Sequence, residues 1–317
     1  MEYEFAPLEG ITDAVYRRNH ARFFPGMARY YTPFISPTQN HRFTPRELRE
    51  LAPENNPGLT LVPQLLGKNP EDFLWAAQAL ADMGYDEVNL NLGCPSGTVT
   101  AKGKGSGMLI HPEELERFLD AIFAAPPLSI SVKTRLGWEA PEEFDRLLGI
   151  YARYPIRRLI VHARTRREMY DPGVHRDTFA RAVGSAPFPL SFNGDLFTPA
   201  DVRGFAAEFP AVETVMLGRG LVADPGLVVK LSGGTADRAA VRAFHDALCR
   251  EYPAVFGSRN SALHRMKAIW HYLLCSLDGG EAYRKRLIKV RKWEDYITLT
   301  EEIFRRLPLR DAAQGIK

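Results

Sequence analysis

The sequence predicts a (β/α)8 TIM barrel followed by a small all-α helical bundle, on three observations. Eight short apolar segments with strand character recur through residues 1–234, helix start signals fall between them, and beyond 234 only helical periodicity remains.

The strand patterns lie at 3–6, 28–33, 59–65, 87–92, 129–133, 158–162, 189–193 and 214–217, most of them rich in Val, Ile, Leu or aromatic residues. In the fourth, Val88, Leu90 and Leu92 alternate with Glu87, Asn89 and Asn91. Helices are signalled at Thr12-Asp13, Thr44-Pro45, Asn69-Pro70, His111-Pro112, Ala140-Pro141 and Thr198-Pro199. Proline in a first turn has no N–H to lose, and the acids that follow meet the helix dipole. A doubly wound sheet is the competing fold, but it wants a glycine-rich fingerprint after the first strand, and Ala6-Pro7-Leu8-Glu9-Gly10 stands there instead. Ser232-Gly233-Gly234-Thr235 makes a short flexible join, and helical patterns follow at 239–252, 262–277, 280–290 and 293–307. The implied units are 1–234, a catalytic barrel, and 235–317, a bundle too small to be stable alone and therefore expected to pack on the barrel.

With 317 residues, 45% hydrophobic and 25% charged, the chain can bury a full globular core. Three cysteines without a CxxC pair argue against a disulfide framework and a thiolate zinc site, and suit a reducing cytoplasm. No apolar run reaches a membrane span, and Met1-Glu2-Tyr3-Glu4 carries acids where a signal peptide carries bases. A cytoplasmic monomer with no membrane and no metal is expected. Charge is uneven: residues 235–317 hold 16 Lys+Arg against 10 Asp+Glu, whereas the rest of the chain is slightly acidic. The cluster Arg284, Lys285, Arg286, Lys289, Arg291, Lys292 is interleaved with Tyr283 and Trp293, as expected where phosphates are neutralised and bases stacked, although a solvated helical face has the same composition.

Leu92-Gly93-Cys94-Pro95 places one thiol where a strand runs out into a loop, with Gly93 allowing close approach of a ligand and Pro95 fixing the exit. Such a thiol can give or take a proton, while Cys249 and Cys275 read as small buried hydrophobes. Barrels carry function at the C-terminal ends of their strands. There the third strand offers Gln64, the fourth Asn89, Asn91 and Cys94, the fifth Lys133 and Arg135, the sixth His162 and Arg164, the seventh Asn193-Gly194-Asp195 and the eighth Gly218-Arg219-Gly220. The last two loops are where barrels most often hold a phosphate. Lys133 can offset negative charge on a reduced ring and Gln64 can pair with a ring amide, so a phosphorylated heterocycle such as FMN satisfies the set.

In this order, residues 6–13 (APLEGITD), 89–95 (NLNLGCP), 132–137 (VKTRLG), 161–165 (VHART), 193–195 (NGD) and 216–220 (MLGRG) resemble the motifs of the tRNA-dihydrouridine synthase family across nearly the whole chain. Residues 264–270 (HRMKAIW) are similar to the bacterial C-type branch. The resemblance implies an FMN-binding barrel, a helical RNA-binding domain, NADPH as reductant and tRNA as substrate. It implies that Ala6, Pro7, Leu8, Gln64, Lys133, His162, Asn193, Gly194, Asp195, Gly218 and Arg219 hold FMN. Cys94 would then protonate uracil C5 as hydride from the flavin reaches C6. A thiol of ordinary pKa, about 8.5, is protonated at neutral pH and serves as that acid untuned. Asn91, Lys102, Arg135, Arg164, Arg166, Arg284, Lys285 and Arg286 would contact uracil or RNA, with Arg164 and Arg166 on the target phosphate. Leu8 and Leu92 depart from the family's usual Met, and residues 102–107 (KGKGSG) carry an additional lysine and read as a mobile lid beside Cys94. A small-molecule flavin oxidoreductase of the dihydroorotate dehydrogenase or old-yellow-enzyme type would share the barrel but has no need of a basic tail. A synthase acting on rRNA is a further alternative. A non-catalytic RNA-binding protein would have no use for Cys94, Lys133 and His162 together.

Overall fold

The computed structural model describes residues 1–171 and 173–316. Nine parallel strands are β1 Glu2–Phe5, β2 Arg29–Tyr31, β3 Leu61–Val62, β4 Gln64–Leu65, β5 Glu87–Leu92, β6 Ser129–Arg135, β7 Leu159–His162, β8 Leu190–Asn193 and β9 Thr214–Leu217. Their order is β3-β2-β1-β9-β8-β7-β6-β5-β4. The two end strands are halves of one chain segment, interrupted at Pro63, which lacks an N–H for the ladder. Its carbonyl still accepts from Asn89 N–H at 2.8 Å, so the sheet closes into a barrel of eight strand positions, as the eight patterns predict.

The helix starts follow their predicted chemistry. Asp13, Thr44, Asn69 and Thr198 each accept a bond from the backbone N–H three residues on, and Thr44 and Thr198 complete capping boxes with Glu47 and Asp201. At Pro141 the start falls later, with Glu143–Tyr151, because the Glu143 carboxylate turns back to bind the N–H groups of Trp138, Glu139 and Ala140. Helix Arg176–Val183 and the short helices Gly97–Thr100, Arg219–Ala223 and Leu227–Leu231 lie outside the predicted elements.

The alternation in β5 has a different meaning from that of a half-solvated strand. Val88, Leu90 and Leu92 join the core beneath the helices, while Glu87, Asn89 and Asn91 are themselves buried, at 2%, 0% and 7% exposure. The barrel interior is therefore polar. At its base the Glu4 carboxylate is fully buried and accepts from Tyr31 Oη at 3.1 Å, Arg158 Nη1 at 2.7 Å and Ser191 Oγ at 3.0 Å. A separate small cluster, Ala6, Tyr31, Val62, Ile160 and Met216, lies inside the barrel with Leu8 packed on it.

The helical tail comprises Arg238–Val255, Arg259–Leu273, Glu281–Lys289 and Trp293–Arg306. It packs on the barrel as expected: one continuous apolar cluster contains Phe5, Val15 and Tyr16 together with Phe244, Leu248 and Tyr252, and Tyr16 meets Phe244 edge-on at 5.2 Å. No helix among the described residues is long and apolar enough to cross a membrane. Tyr283 and Trp293, expected to stack bases, are buried in the bundle at 8% exposure each. Helical spacing turns them inward with Leu287 and Tyr296, and only their charged neighbours face out.

Glu4→Leu leaves the Arg158 guanidinium without its carboxylate and is expected to cost about 3–5 kcal/mol, read as a lower urea midpoint. Adding Arg158→Met should restore part of that loss, whereas strictly additive effects would show that the two residues are uncoupled.

Candidate active site

The C-terminal ends of the strands open into two adjoining hollows that share Pro7, Leu8, Lys133, His162, Tyr170 and Tyr272. The first continues over Ala6, Asn193, Gly194, Asp195, Gly218 and Arg219, and the second over Gln64, Asn91, Gly93, Cys94 and Arg135. Fourteen sequence-predicted residues thus converge on one mouth. Lys102, Arg164, Arg166, Arg284, Lys285 and Arg286 line neither hollow.

On the thiol side, Asn91 Oδ1 accepts from the N–H groups of Gly93 and Cys94 at 3.0 and 2.9 Å. Asn91 Nδ2 donates to Gln64 Oε1 at 2.7 Å, Gln64 Nε2 to Asn89 Oδ1 at 2.8 Å, and Asn89 Nδ2 to Ser131 Oγ at 2.9 Å. Asn91 and Gln64 therefore build the loop as well as face the hollow. Arg135, 1% exposed, donates from Nε to Gly93 O at 2.9 Å and from Nη1 to Thr165 O and Met169 O at 2.7 and 2.8 Å, which leaves Nη2 outside those bonds.

Gly93 lines the second hollow, and a Cβ there would make only ordinary contact with the neighbouring strand, 3.4 Å from the Thr134 carbonyl carbon. One expectation about this loop is corrected. Residues 102–107 are not a mobile lid: Gly105–Ile110 forms a largely buried 3-10 helix, and Ser106 Oγ and N–H both donate to Cys94 O, at 2.9 and 3.2 Å.

On the other side, Asp195 carries a left-handed φ of +42° and receives both Arg164, through a two-bond fork, and Arg219 Nη2 at 2.9 Å. Arg164, expected on the target phosphate, is 1% exposed and committed to this pair. Asp195 is likewise spent on guanidinium groups, since a carboxylate facing a phosphate would repel it. Arg219 lies 4.7 Å from the Tyr170 ring and 5.2 Å from that of Phe197. Asn193 Nδ2 binds Met216 O at 2.8 Å. Arg166 stacks on Trp138 at 4.6 Å and Lys102 is exposed. Arg284 is tied to His271 Nδ1 at 2.8 Å, Arg286 pairs with Glu302, and Lys285 is exposed.

Tyr170 and Tyr272 escaped prediction. Tyr170 lies in a loop without periodicity, and Tyr272 sits in the tail, where an aromatic on a helix reads as core.

Electrostatics follow from burial in a cationic mouth. Burial, helped by the Arg135 charge, brings the Lys133 ammonium down to about 7. Burial and then Arg135, Lys133, Arg164 and Arg219 hold His162 well below its ordinary value, so its ring is neutral. Burial pushes the Cys94 thiol up, against the Ser96 N–H, Arg135 and Lys133, which favour thiolate. The mouth therefore offers a protonated thiol, a neutral imidazole and an ammonium that an arriving anion would charge fully. Iodoacetamide should alkylate Cys94 in the folded protein more slowly at pH 8 than a cysteine in the unfolded chain, with the rate still rising where the free thiol has levelled off. A profile that levels off together with that of the unfolded chain, or below it, would contradict the arrangement.

A family model described as dihydrouridine synthase matches residues 4–307. The probable tRNA-dihydrouridine synthase 1 of Synechocystis sp. is 30% identical over 273 residues, which cover 84% of this chain and 72% of that protein. The tRNA-dihydrouridine(16) synthase of Ralstonia nicotianae is 31% identical over 272 residues, 83% of this chain and 80% of that one. Its namesake from Cupriavidus necator is 32% identical over 234 residues, 72% of each. Among solved structures, the old yellow enzyme homologue from Zymomonas mobilis superimposes with a TM-score of 0.52 at 12% identity, over 74% of this chain and 90% of that chain, a likeness of fold.

Proposed function

From the premise that this chain belongs to the dihydrouridine synthase family, we propose that it reduces uridine to 5,6-dihydrouridine in tRNA, with FMN as its flavin and NADPH as reductant. The observation that carries this is a protonated thiol fixed at the end of β5 in a mouth that also holds Lys133, Arg135 and a neutral His162.

The residues present fit a phosphorylated flavin. Ala6, Leu8 and Met216 supply an apolar surface, and among the described residues no carboxylate pairs with the Lys133 ammonium. Two guanidinium groups share the single Asp195 carboxylate, which leaves positive charge beside Asn193, Gly194 and Gly218 for a phosphate. Gln64 and His162 would meet the polar edge of the ring system, and Lys133 would stabilise negative charge upon it. When bound, the flavin supplies the hydride that adds to uracil C6.

The chain's own part is to present the base and deliver a proton. The target uridine must leave its stack to enter the mouth. There the second Nδ2 hydrogen of Asn91 and the Arg135 Nη2 group would engage uracil oxygens, and Cys94 Sγ–H donates its proton to C5. Arg135 and Lys133 favour the resulting thiolate, which limits the barrier to leaving a charge on sulfur. Solvent then returns the proton. Arg166, Lys102, Lys285, Arg284 and Arg286 lie outside the hollows and are proposed for RNA phosphates, with Arg164 withdrawn to orient Asp195. Because the relatives from Ralstonia nicotianae and Cupriavidus necator are named for position 16, that uridine is the proposed target.

Cys94→Ala should purify with bound flavin and oxidise NADPH, yet form dihydrouridine at least ~100-fold more slowly; full product formation would remove Cys94 from the mechanism. In cells lacking the gene, mapping of tRNA should find uridine in place of dihydrouridine at position 16 alone. Loss at another position would move the target, and no loss at all would refute the activity on tRNA.

A further inference from the structure

Three lysines from two loops gather around the turn at residues 102–105, whose backbone packs against Cys94. Gly105 has a φ of +58°, and a Cβ there would stand 2.9 Å from Cys94 O and 3.1 Å from Cys94 Cβ, so the backbone next to Lys104 lies directly against the thiol residue. Lys104 Nζ reaches back to Ser36 Oγ at 2.9 Å. Lys68, in the loop after β4, brings its Nζ to 3.7 Å from where a Cβ on Gly103 would be. Lys102 is exposed on the same turn. Burial, with Lys102 and Lys68 as like charges and Asp72 as a partial counterweight, lowers the Lys104 ammonium from its ordinary value. The Asp72 carboxylate is itself bonded to His41 Nε2 at 3.2 Å.

Ammonium groups gathered on a braced loop repel one another unless an anion is shared among them. Lysine ammoniums with a hydroxyl beside them suit a phosphate approached as a point charge, whereas a planar carboxylate would favour an arginine fork. The location narrows the source. A uridine drawn into the mouth leaves its flanking phosphates at the rim, and these lysines line neither hollow.

We infer that Lys68, Lys102, Lys104 and Ser36 form a phosphate-binding site for the RNA backbone adjoining the target uridine. It rests on the proposal above that RNA is the substrate. The site follows the second, third and fourth barrel positions, whereas the helical tail packs on helices that follow the first and the eighth, Ala14–Phe23 and Arg219–Ala223. Substrate RNA is then held from two sides of the mouth.

The test uses flavin-loaded enzyme and an in vitro transcribed tRNA, comparing wild type with Lys68→Ala/Lys102→Ala/Lys104→Ala and with Lys102→Glu alone, whose exposed position keeps the fold intact. The triple variant should bind tRNA roughly tenfold or more weakly at about 100 mM KCl, with a salt slope shallower by about one unit per phosphate lost. Lys102→Glu should move both quantities in the same direction. The KM for NADPH should be that of the wild type. Unchanged tRNA affinity and slope in both variants, in protein that retains its flavin, would overturn the assignment. A raised KM for NADPH with unaltered tRNA binding would give the phosphate to the coenzyme instead, and also overturn it. Failure of the wild type to form dihydrouridine would strike the functional proposal and not this site, since the binding arms are read without turnover.

Discussion

The Asn91 carboxamide is the constraint on which the rest of the mouth depends. Its oxygen takes the N–H groups of both Gly93 and Cys94, which leave the ladder as β5 ends, and its nitrogen holds Gln64. Through Gln64 and Asn89 the same chain of amides reaches Ser131 on β6, so the position of the thiol is tied to three strand positions of the barrel. Partly satisfied networks of this kind are costly in a low dielectric, and satisfied ones specify a single arrangement. Arg135 completes the brace from the other side by binding the Gly93 carbonyl and two carbonyls of the loop after β7. Removing any one of these groups would orphan buried partners as well as loosen the loop.

That brace also sets the electrostatics. A barrel floor built from Glu4, Glu87 and amides buries its acids deep, where Arg158, Arg29 and Arg157 meet them. The mouth above is left with Lys133, Arg135, Arg164 and Arg219 against Asp195 and Glu9. An excess of positive charge under partial desolvation keeps His162 neutral and brings Lys133 near neutrality, and both changes are reversed by an anion. The same field favours loss of the Cys94 proton as well, yet burial, which acts against a thiolate, prevails, so the proposed proton donor keeps its proton and stays neutral. Arg135 thus contributes both to the geometry that fixes the thiol and to the charge that would stabilise its anion.

What could be read from the sequence, and what could not, divides along physical lines. The eight strand positions and most helix starts were legible because period-two patterning, Asp, Thr or Asn caps and first-turn prolines are local features. So was the residue set at the strand ends, once a barrel fixed which end mattered. The resemblance supplied the chemistry, and the family match agrees with it. Pairing was not legible. Nothing local distinguishes Arg164, locked to Asp195, from Arg166, half-exposed on Trp138. Tyr283 and Trp293 looked available because charges flank them in sequence, but a helix separates sequence neighbours onto opposite faces. Residues 102–107 read as loose because glycine permits motion, whereas Gly105 and Gly107 are there for close approach: a Cβ on Gly107 would stand 2.8 Å from Thr100 O.

The division into barrel and tail, natural in the sequence, understates how closely the two are joined. Asp13 caps the first barrel helix through Tyr16 N–H at 3.0 Å, accepts the Tyr252 hydroxyl at 3.1 Å and faces Arg265 Nε at 3.3 Å, so one carboxylate serves both units. Arg265 also reaches the loop after β1, where a Cβ on Gly10 would stand 3.7 Å from its Nη1. Two turns further along the same helix, and therefore on the same face, Tyr272 lines both hollows of the mouth. A rigid helix thus connects the anchor at Asp13 to an aromatic ring beside Lys133 and His162. Any shift of the tail on the barrel would move Tyr272 within the site, so the surface proposed to meet RNA and the pocket proposed to receive the base cannot change their relation independently.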